Sequence, residues 1–176
     1  MADHNSDGQF GFTVSHTTRS PRPGEINGMH YHFVSQEEME RAIRRDDQFL
    51  EHAKVHGNFY GTSWKALRDV QKQGRRCLLD IDVQGVQALK KQNVCTGSQW
   101  QPRFVFIAPP SLELLAERLS SRGTEDEASL RRRTAMAKTE LDYGLQEGNF
   151  DAIIINDDLD KACHEFAQTV QNLYAM

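Results

Sequence analysis

Only three cysteines occur, and Cys77, Cys95 and Cys163 lie far apart with no metal-like pairing. That argues against a disulfide framework and points to reduced, structural thiols. No apolar run reaches the length of a membrane span. The opening residues, Met1-Ala-Asp-His-Asn-Ser-Asp-Gly8, lack the basic and apolar regions of a secretory signal, so a cytoplasmic protein is expected. Basic charge is not in excess: 21 Lys and Arg stand against 25 Asp and Glu, for a formal net charge of −4. This removes any general electrostatic reason to bind nucleic acid or an anionic membrane. Internal repeats, low-complexity tracts and interdomain linkers are also missing. What remains is 176 residues, 38% of them hydrophobic, which fits one globular domain with at most a small inserted subdomain.

Two regimes are visible along that domain. From Phe10 to about Tyr60 the chain reads as short strands and turns. Gly11–Val14 and Met29–Phe33 alternate as strands do, and Phe49–Ala53 is a third candidate. A helix lies between the last two, with Ser35 and Glu38 as a capping box and Met39, Ala42 and Ile43 on its buried face. After Gly61 strand and helix alternate. Cys77–Asp82, Phe104–Ala108 and Ala152–Ile155 are nearly continuous apolar runs, suited to parallel strands buried on both faces. Leu112, Leu115, Ala116 and Leu119 fit one helical stripe, stopped at Gly123, and Leu159 to Leu173 form the longest one. Thr124 with Glu127 is a second capping box, and Val94 to Pro102, with Trp100, reads as a polar loop. The expectation is a doubly wound α/β core with a strand-rich lobe at one end. Ligands of such cores bind beyond the carboxyl ends of the strands, near Asp80, Asp82, Pro109 and Asn156.

Residues 14–24, Val-Ser-His-Thr-Thr-Arg-Ser-Pro-Arg-Pro-Gly, set Ser15, Arg19 and Arg22 beside two prolines. The guanidinium fork matches a phosphate dianion, and Tyr31 and Tyr60 could add neutral donors. Solvated loop arginines are an equal reading. Glu51 sits in an apolar setting, where a carboxylate is costly unless paired. One carboxylate can accept guanine's adjacent N1–H and N2–H, which adenine cannot offer; an outward-facing strand glutamate is the alternative. Asp80 and Asp82 close an apolar strand, where phosphotransferases place a magnesium- or water-organising carboxylate, or where an acid simply caps the next helix. Arg122, Arg131, Arg132 and Arg133 flank Thr124, either as a mobile arginine arm or as a solvated face paired with Glu125, Asp126 and Glu127. His30, His32, His52 and His56 do not converge as zinc ligands should, and no residue set is assigned to a metal.

Taken in order, these segments resemble guanylate kinases. Val14–Glu25, Asn27-Gly28 with Tyr31, Phe49–Ala53, Gly57–Thr62 and Leu79–Gly85 carry the resemblance, with Ile107–Ser111, Arg122–Glu125 and Ile155–Leu159. It spans about Phe10 to Tyr174 and implies a P-loop-kinase-like α/β fold: a doubly wound parallel sheet, a mixed β GMP-binding subdomain at 14–62, and a helical lid at 111–144. The implied reaction moves the γ-phosphoryl group of ATP, with Mg2+, to GMP or dGMP. Arg19, Arg22, Tyr31 and Tyr60 would hold the acceptor phosphate, and Ser15, Glu51, Thr62 and Asp82 the guanine. Arg122 and Arg133 match lid arginines, Asn156 an adenine-side position, and Arg122, Arg133, Asp80 and Asp82 are the catalytic candidates. A monomer without nucleic-acid or membrane partners is implied.

One departure stands out. Family members open with a strand, a G-x-x-x-x-G-K-[ST] loop and a helix, and no such loop occurs in this sequence. Met1-Ala-Asp-His looks like the tail of that helix. The absent strand would lie at the centre of the sheet, between Cys77–Asp82 and Phe104–Ala108. A shortened, catalytically impaired product with exposed apolar faces is therefore expected, with a non-catalytic guanylate-kinase-like binding module as the alternative.

Overall fold

A hairpin tip shows how local chemistry sets the first half of the fold. His56 and Gly57 both take positive φ, 50° and 85°, as the tightest antiparallel hairpins require. They join strand β4 (Phe49–Val55) to β5 (Asn58–Ser63) in antiparallel register. Strand β2 (His16–Thr17) pairs antiparallel with β5, and β3 (His32–Phe33) pairs parallel with β2, giving the order β3-β2-β5-β4. Helix α1 (Gln36–Ile43) lies between β3 and β4 in sequence and opens on the complete Ser35–Glu38 capping box. Its Met39 is fully buried with Leu50 and Ala53 of β4.

The computed structural model describes residues 8–45, 47–92, 101–121 and 127–174, with backbone only for 127–132. Those residues divide into two compact units, meeting in sequence between Ser98 and Gln99. The first unit also holds a parallel pair, β1 (Phe10–Phe12) with β6 (Arg76–Leu78). Helix α2 (Trp64–Gln71), capped by Ser63, buries Leu67 and Val70, and α3 (Val83–Lys91) buries Val86 and Leu89. The second unit pairs β7 (Val105–Ala108) with β8 (Ala152–Ile155) in parallel. Helices α4 (Leu112–Ser121), α5 (Glu127–Gly144) and α6 (Leu159–Tyr174) complete it. No helix among the described residues is long and apolar enough to cross a membrane.

Several expectations change here. The strand sought at Gly11–Val14 is not part of the early lobe; Phe10–Phe12 joins the parallel pair, because its partner is Arg76–Leu78. The strand sought at Met29–Phe33 shrinks to His32–Phe33, after a turn in which the Gly28 N–H donates to the Tyr31 carbonyl. The run Cys77–Asp82 stops as strand at Leu78, so Asp80 and Asp82 lie in the connection to α3. Strand β5 carries no clean apolar period, yet it forms; helix α2, with Trp64, Leu67 and Val70 on one stripe, is an addition to the expected elements. The runs at β7 and β8 are not buried on both faces. Phe106 lies against Gly144 and Phe150, and Ala108 and Ile154 are buried, but Ile107, Ile153 and Ile155 are 39–47% exposed. In this two-stranded pair each face is thus covered over one strand only. Leu159 heads its helix but is likewise exposed. The expectations at Met1–His4, Cys95, Trp100, Gly123 and Thr124 lie outside the described residues.

His16 introduces a pH dependence. Its ring stacks on His32 with centroids 4.6 Å apart and meets the Phe49 ring edge-on at 5.4 Å. Its Nδ1 is buried without a hydrogen-bond partner. Burial first, and the neighbouring His32 second, lower its pKa from 6.5 to about 4. Between those values the unfolded chain takes up a proton that the folded chain refuses, so stability falls as pH drops through that window and levels off below it. With allowance for partial solvent screening, the loss should be on the order of 1–2 kcal/mol. Urea unfolding of wild type and His16→Gln at pH 7 and pH 4.5 should show a smaller pH effect in the variant; identical slopes would assign the effect elsewhere.

Candidate active site

Alternation along β5 places Tyr60 and Thr62 on one face of the four-stranded sheet and Gly61 on the other. The register puts Thr17 opposite Tyr60 and Glu51 opposite Thr62. One face therefore collects Thr17, Glu51, Tyr60 and Thr62, and Ser15 joins them just before β2. Its polarity is unusual for a buried surface, since Ser15, Thr17, Glu51 and Thr62 are all at most 8% exposed.

At one end of this face stands the Glu51 carboxylate. The Thr62 N–H donates to its Oε1 at 2.8 Å, and Thr62 Oγ1 lies 3.1 Å from Ser15 Oγ. Burial pushes the Glu51 carboxyl up; the Thr62 hydrogen bonds pull the other way, and the Asp82 charge adds to the rise. Its second oxygen faces the N-terminus of α3. There Asp82 is the N-cap, its Oδ1 accepting the Gly85 N–H at 2.9 Å and its Oδ2 the Gln84 side-chain amide at 3.0 Å. The helix-capping reading of Asp82 is therefore realised. Only a glycine allows the approach at 85, because a Cβ there would sit 2.8 Å from Glu51 Oε2 and 3.3 Å from the Ile81 Cβ.

At the other end stands Arg19. Its two terminal nitrogens donate to the two oxygens of Glu25 at 3.0 and 2.9 Å. Its guanidinium lies over the Tyr31 ring at 5.5 Å, and the Tyr31 and Tyr60 ring centroids are 6.1 Å apart. Burial raises the Tyr31 hydroxyl, and the charge of the exposed Asp80 adds to that shift. Arg22 is exposed, with no hydrogen-bonded partner for its guanidinium among the described residues. The first unit thus gathers Ser15, Glu51, Thr62 and Asp82 at one end and Arg19, Tyr31 and Tyr60 at the other, with Arg22 in the adjoining turn.

The remaining candidates belong to the second unit or fall outside the description. Asn156 follows β8, its N–H donating to the Ala108 carbonyl at 2.7 Å. Arg133 is half-buried on α5. Arg122 lies outside the described residues, as do the side chains of Arg131 and Arg132. Three contributors escaped sequence reasoning. Glu25 was visible only as an acid six residues after Arg19, and Gly85 only as a glycine at a helix start. Arg118 gave no signal; it donates to the carbonyls of Asn156 and Asp157 at 2.6 and 2.8 Å and so fixes the turn after β8.

Parallel strand–helix units and a mixed sheet that bears a buried carboxylate fit the α/β class of P-loop-kinase-like folds. A family model described as guanylate kinase matches residues 3–173. The chain is 52% identical over 153 residues to guanylate kinase of Sus scrofa, covering 87% of this chain and 74% of that protein. It is 46% identical over 163 residues to the Homo sapiens guanylate kinase, covering 93% and 79%. Against guanylate kinase 1 of Oryza sativa subsp. japonica it is 47% identical over 157 residues, covering 89% of this chain but only 39% of that protein. The crystal structure of guanylate kinase from Anaplasma phagocytophilum matches with a TM-score of 0.69 at 30% identity, over 94% of this chain and 76% of that one. The chain belongs to the guanylate kinase family, whose reaction is ATP-dependent phosphorylation of GMP. These relatives carry the enzyme's name, so the reading as a non-catalytic binding module is not favoured.

The packing at Gly85 is directly testable. Gly85→Ala should lower the unfolding free energy by roughly 1–3 kcal/mol, the usual cost of forcing a methyl group into filled space. An unchanged urea midpoint would show that α3 can withdraw from Glu51 freely.

Proposed function

We propose that residues 14–62 form the acceptor subdomain for GMP or dGMP. Glu51, Ser15, Thr62 and Asp82 read the guanine, and Arg19, Arg22, Tyr31 and Tyr60 hold the phosphate. The observation that carries this reading is the Glu51 carboxylate, only 5% exposed and without an ion pair among the described residues. Such a group is costly to bury for structural reasons alone. Guanine's adjacent N1–H and N2–H would supply the donors that it lacks. Adenine presents an acceptor at N1 and would leave the carboxylate opposed.

We further propose that residues 111–144 act as the lid, with Arg122 and Arg133 neutralising charge on the transferring phosphoryl group, and that Asn156 lines the adenine side. Transfer would be in line, achieved by positioning and charge neutralisation without a covalent intermediate. Magnesium carried by ATP would supply neutralisation of charge on the phosphates. Each Asp82 oxygen accepts one hydrogen bond at the helix start and keeps a lone pair for the guanine, so the exposed Asp80 is the carboxylate that would be open to a hydrated ion. The 176 residues contain no G-x-x-x-x-G-K-[ST] loop, and that backbone cradle is what normally grips the ATP phosphates. We therefore propose a chain that binds GMP better than it phosphorylates it. A monomer is supported by an acceptor site drawn from one chain, and a cytoplasmic location by the free thiols of Cys77 and Cys163.

Calorimetric titration should show GMP bound about 10- to 100-fold more tightly than AMP, the worth of one or two hydrogen bonds to a charged group. Glu51→Gln should erase that preference, and wild-type affinity should fall on acidification above the ordinary carboxylate range, as the raised Glu51 carboxyl takes up a proton. Equal binding of the two nucleotides would refute the guanine reading. A coupled assay with ATP and magnesium should detect little GDP; rapid turnover would show that the missing loop is dispensable.

A further inference from the structure

Glu25 does more than neutralise Arg19. Its Oε2 also accepts the Arg22 backbone N–H at 2.6 Å, while its own N–H donates to the Arg22 carbonyl at 3.0 Å. These two bonds close the Arg22-Pro-Gly-Glu25 turn on itself. One carboxylate therefore holds Arg19 through its side chain and Arg22 through its backbone. The Arg19 and Glu25 side chains are each 16% exposed, so the pair is largely withdrawn from water.

The donor inventory of Arg19 shows what this arrangement leaves over. A guanidinium has five N–H groups. Nη1 uses both of its own, on the Ser20 carbonyl at 2.7 Å and on Glu25 Oε2 at 3.0 Å. Nη2 uses one, on Glu25 Oε1 at 2.9 Å. The Nε–H and the second Nη2 N–H are bound neither by Glu25 nor by the backbone; the Tyr60 hydroxyl, which also interacts with Arg19, stands beside them, and in a planar guanidinium these two N–H groups are parallel. Two parallel donors match two oxygens of a phosphate ester. Glu25 thus occupies the end of the fork and leaves the side edge to face the Tyr60 hydroxyl, a neutral group that an ester oxygen can join or replace.

We propose that Glu25 is the positioning residue of the acceptor-phosphate site, tying Arg19 and Arg22 into one unit and presenting the side edge of Arg19 to the ester. The proposal rests on the reading of this region as the GMP site. Glu25 stays in place when phosphate binds, because the Arg22 N–H anchors it independently of Arg19. Its carboxyl is held down to about 2, chiefly by the Arg19 hydrogen bonds and then by the Arg22 backbone, so it is anionic across the working range of pH.

The test compares GMP, by calorimetry, with guanosine, by NMR titration, on wild type, Glu25→Gln and Glu25→Asp. Glu25→Gln should weaken GMP binding about tenfold or more while guanosine affinity stays within about twofold, since only the phosphate contacts depend on the tie. Glu25→Asp should recover part of the loss. Unchanged or tighter GMP binding by Glu25→Gln would overturn the proposal and mark Glu25 as a displaceable counter-ion. Equal loss of both ligands by both variants would also overturn it, showing a role in the fold alone. If wild type binds guanosine and GMP equally or not at all, the acceptor-site reading itself fails, which is a different result from a silent Glu25.

Discussion

The interaction on which the first unit depends is the bond from the Thr62 N–H to the buried Glu51 carboxylate. Strand pairing alone would leave Glu51 as an uncompensated charge beneath α3. The hydrogen bond, the withdrawn Asp82 cap and the missing side chain at Gly85 together make its burial tolerable. Each of these features fixes another element: Thr62 sets the β4–β5 register, Asp82 starts α3, and Gly85 sets how closely that helix approaches. A polar group has taken the place usually held by an apolar core contact, as happens where a fold is shaped around a ligand.

Charge is handled differently at the two ends of the polar face. At the Glu51 end two carboxylates, Glu51 and the capping Asp82, stand without an ion pair among the described residues, and burial with the Asp82 charge raises the Glu51 carboxyl. At the Arg19 end the positive charge is matched by Glu25 before any ligand arrives. The two ends suit two kinds of guest, one offering hydrogen-bond donors and the other offering oxygens. Their separation along one short stretch of chain, from Ser15 before β2 to Arg19 in the bend after it, is a covalent spacing rather than a product of packing.

Legibility in the sequence followed the kind of force involved. The Ser35–Glu38 box and the helices α3, α4 and α6 were readable because caps and apolar stripes are local signals. Strand β5 was not, because Asn58-Phe-Tyr-Gly-Thr-Ser63 alternates around a polar site rather than an apolar core. The first strand was assigned to the wrong sheet because its partner, Arg76–Leu78, is distant in sequence, and pairing of that kind leaves no local trace. Both arginines and Glu51 could be picked out by residue type and setting. What those residues touch was not legible, since Glu25, Gly85 and Arg118 act through bonds whose partners become visible only in three dimensions.

The positive-φ tip at His56-Gly57 carries a further consequence for how this protein can vary over time. Because side chains alternate with a period of two, inserting or deleting a single residue within β4 or β5 would swap the face on which Glu51, Tyr60 and Thr62 sit. Length changes between these strands are thus confined to the tip, where added residues loop outward and leave the register intact. Lineages of such chains should show gaps and additions at that hairpin and at the connections outside the sheet, while the stretches from Phe49 to Val55 and from Asn58 to Ser63 keep their length even where their residues drift.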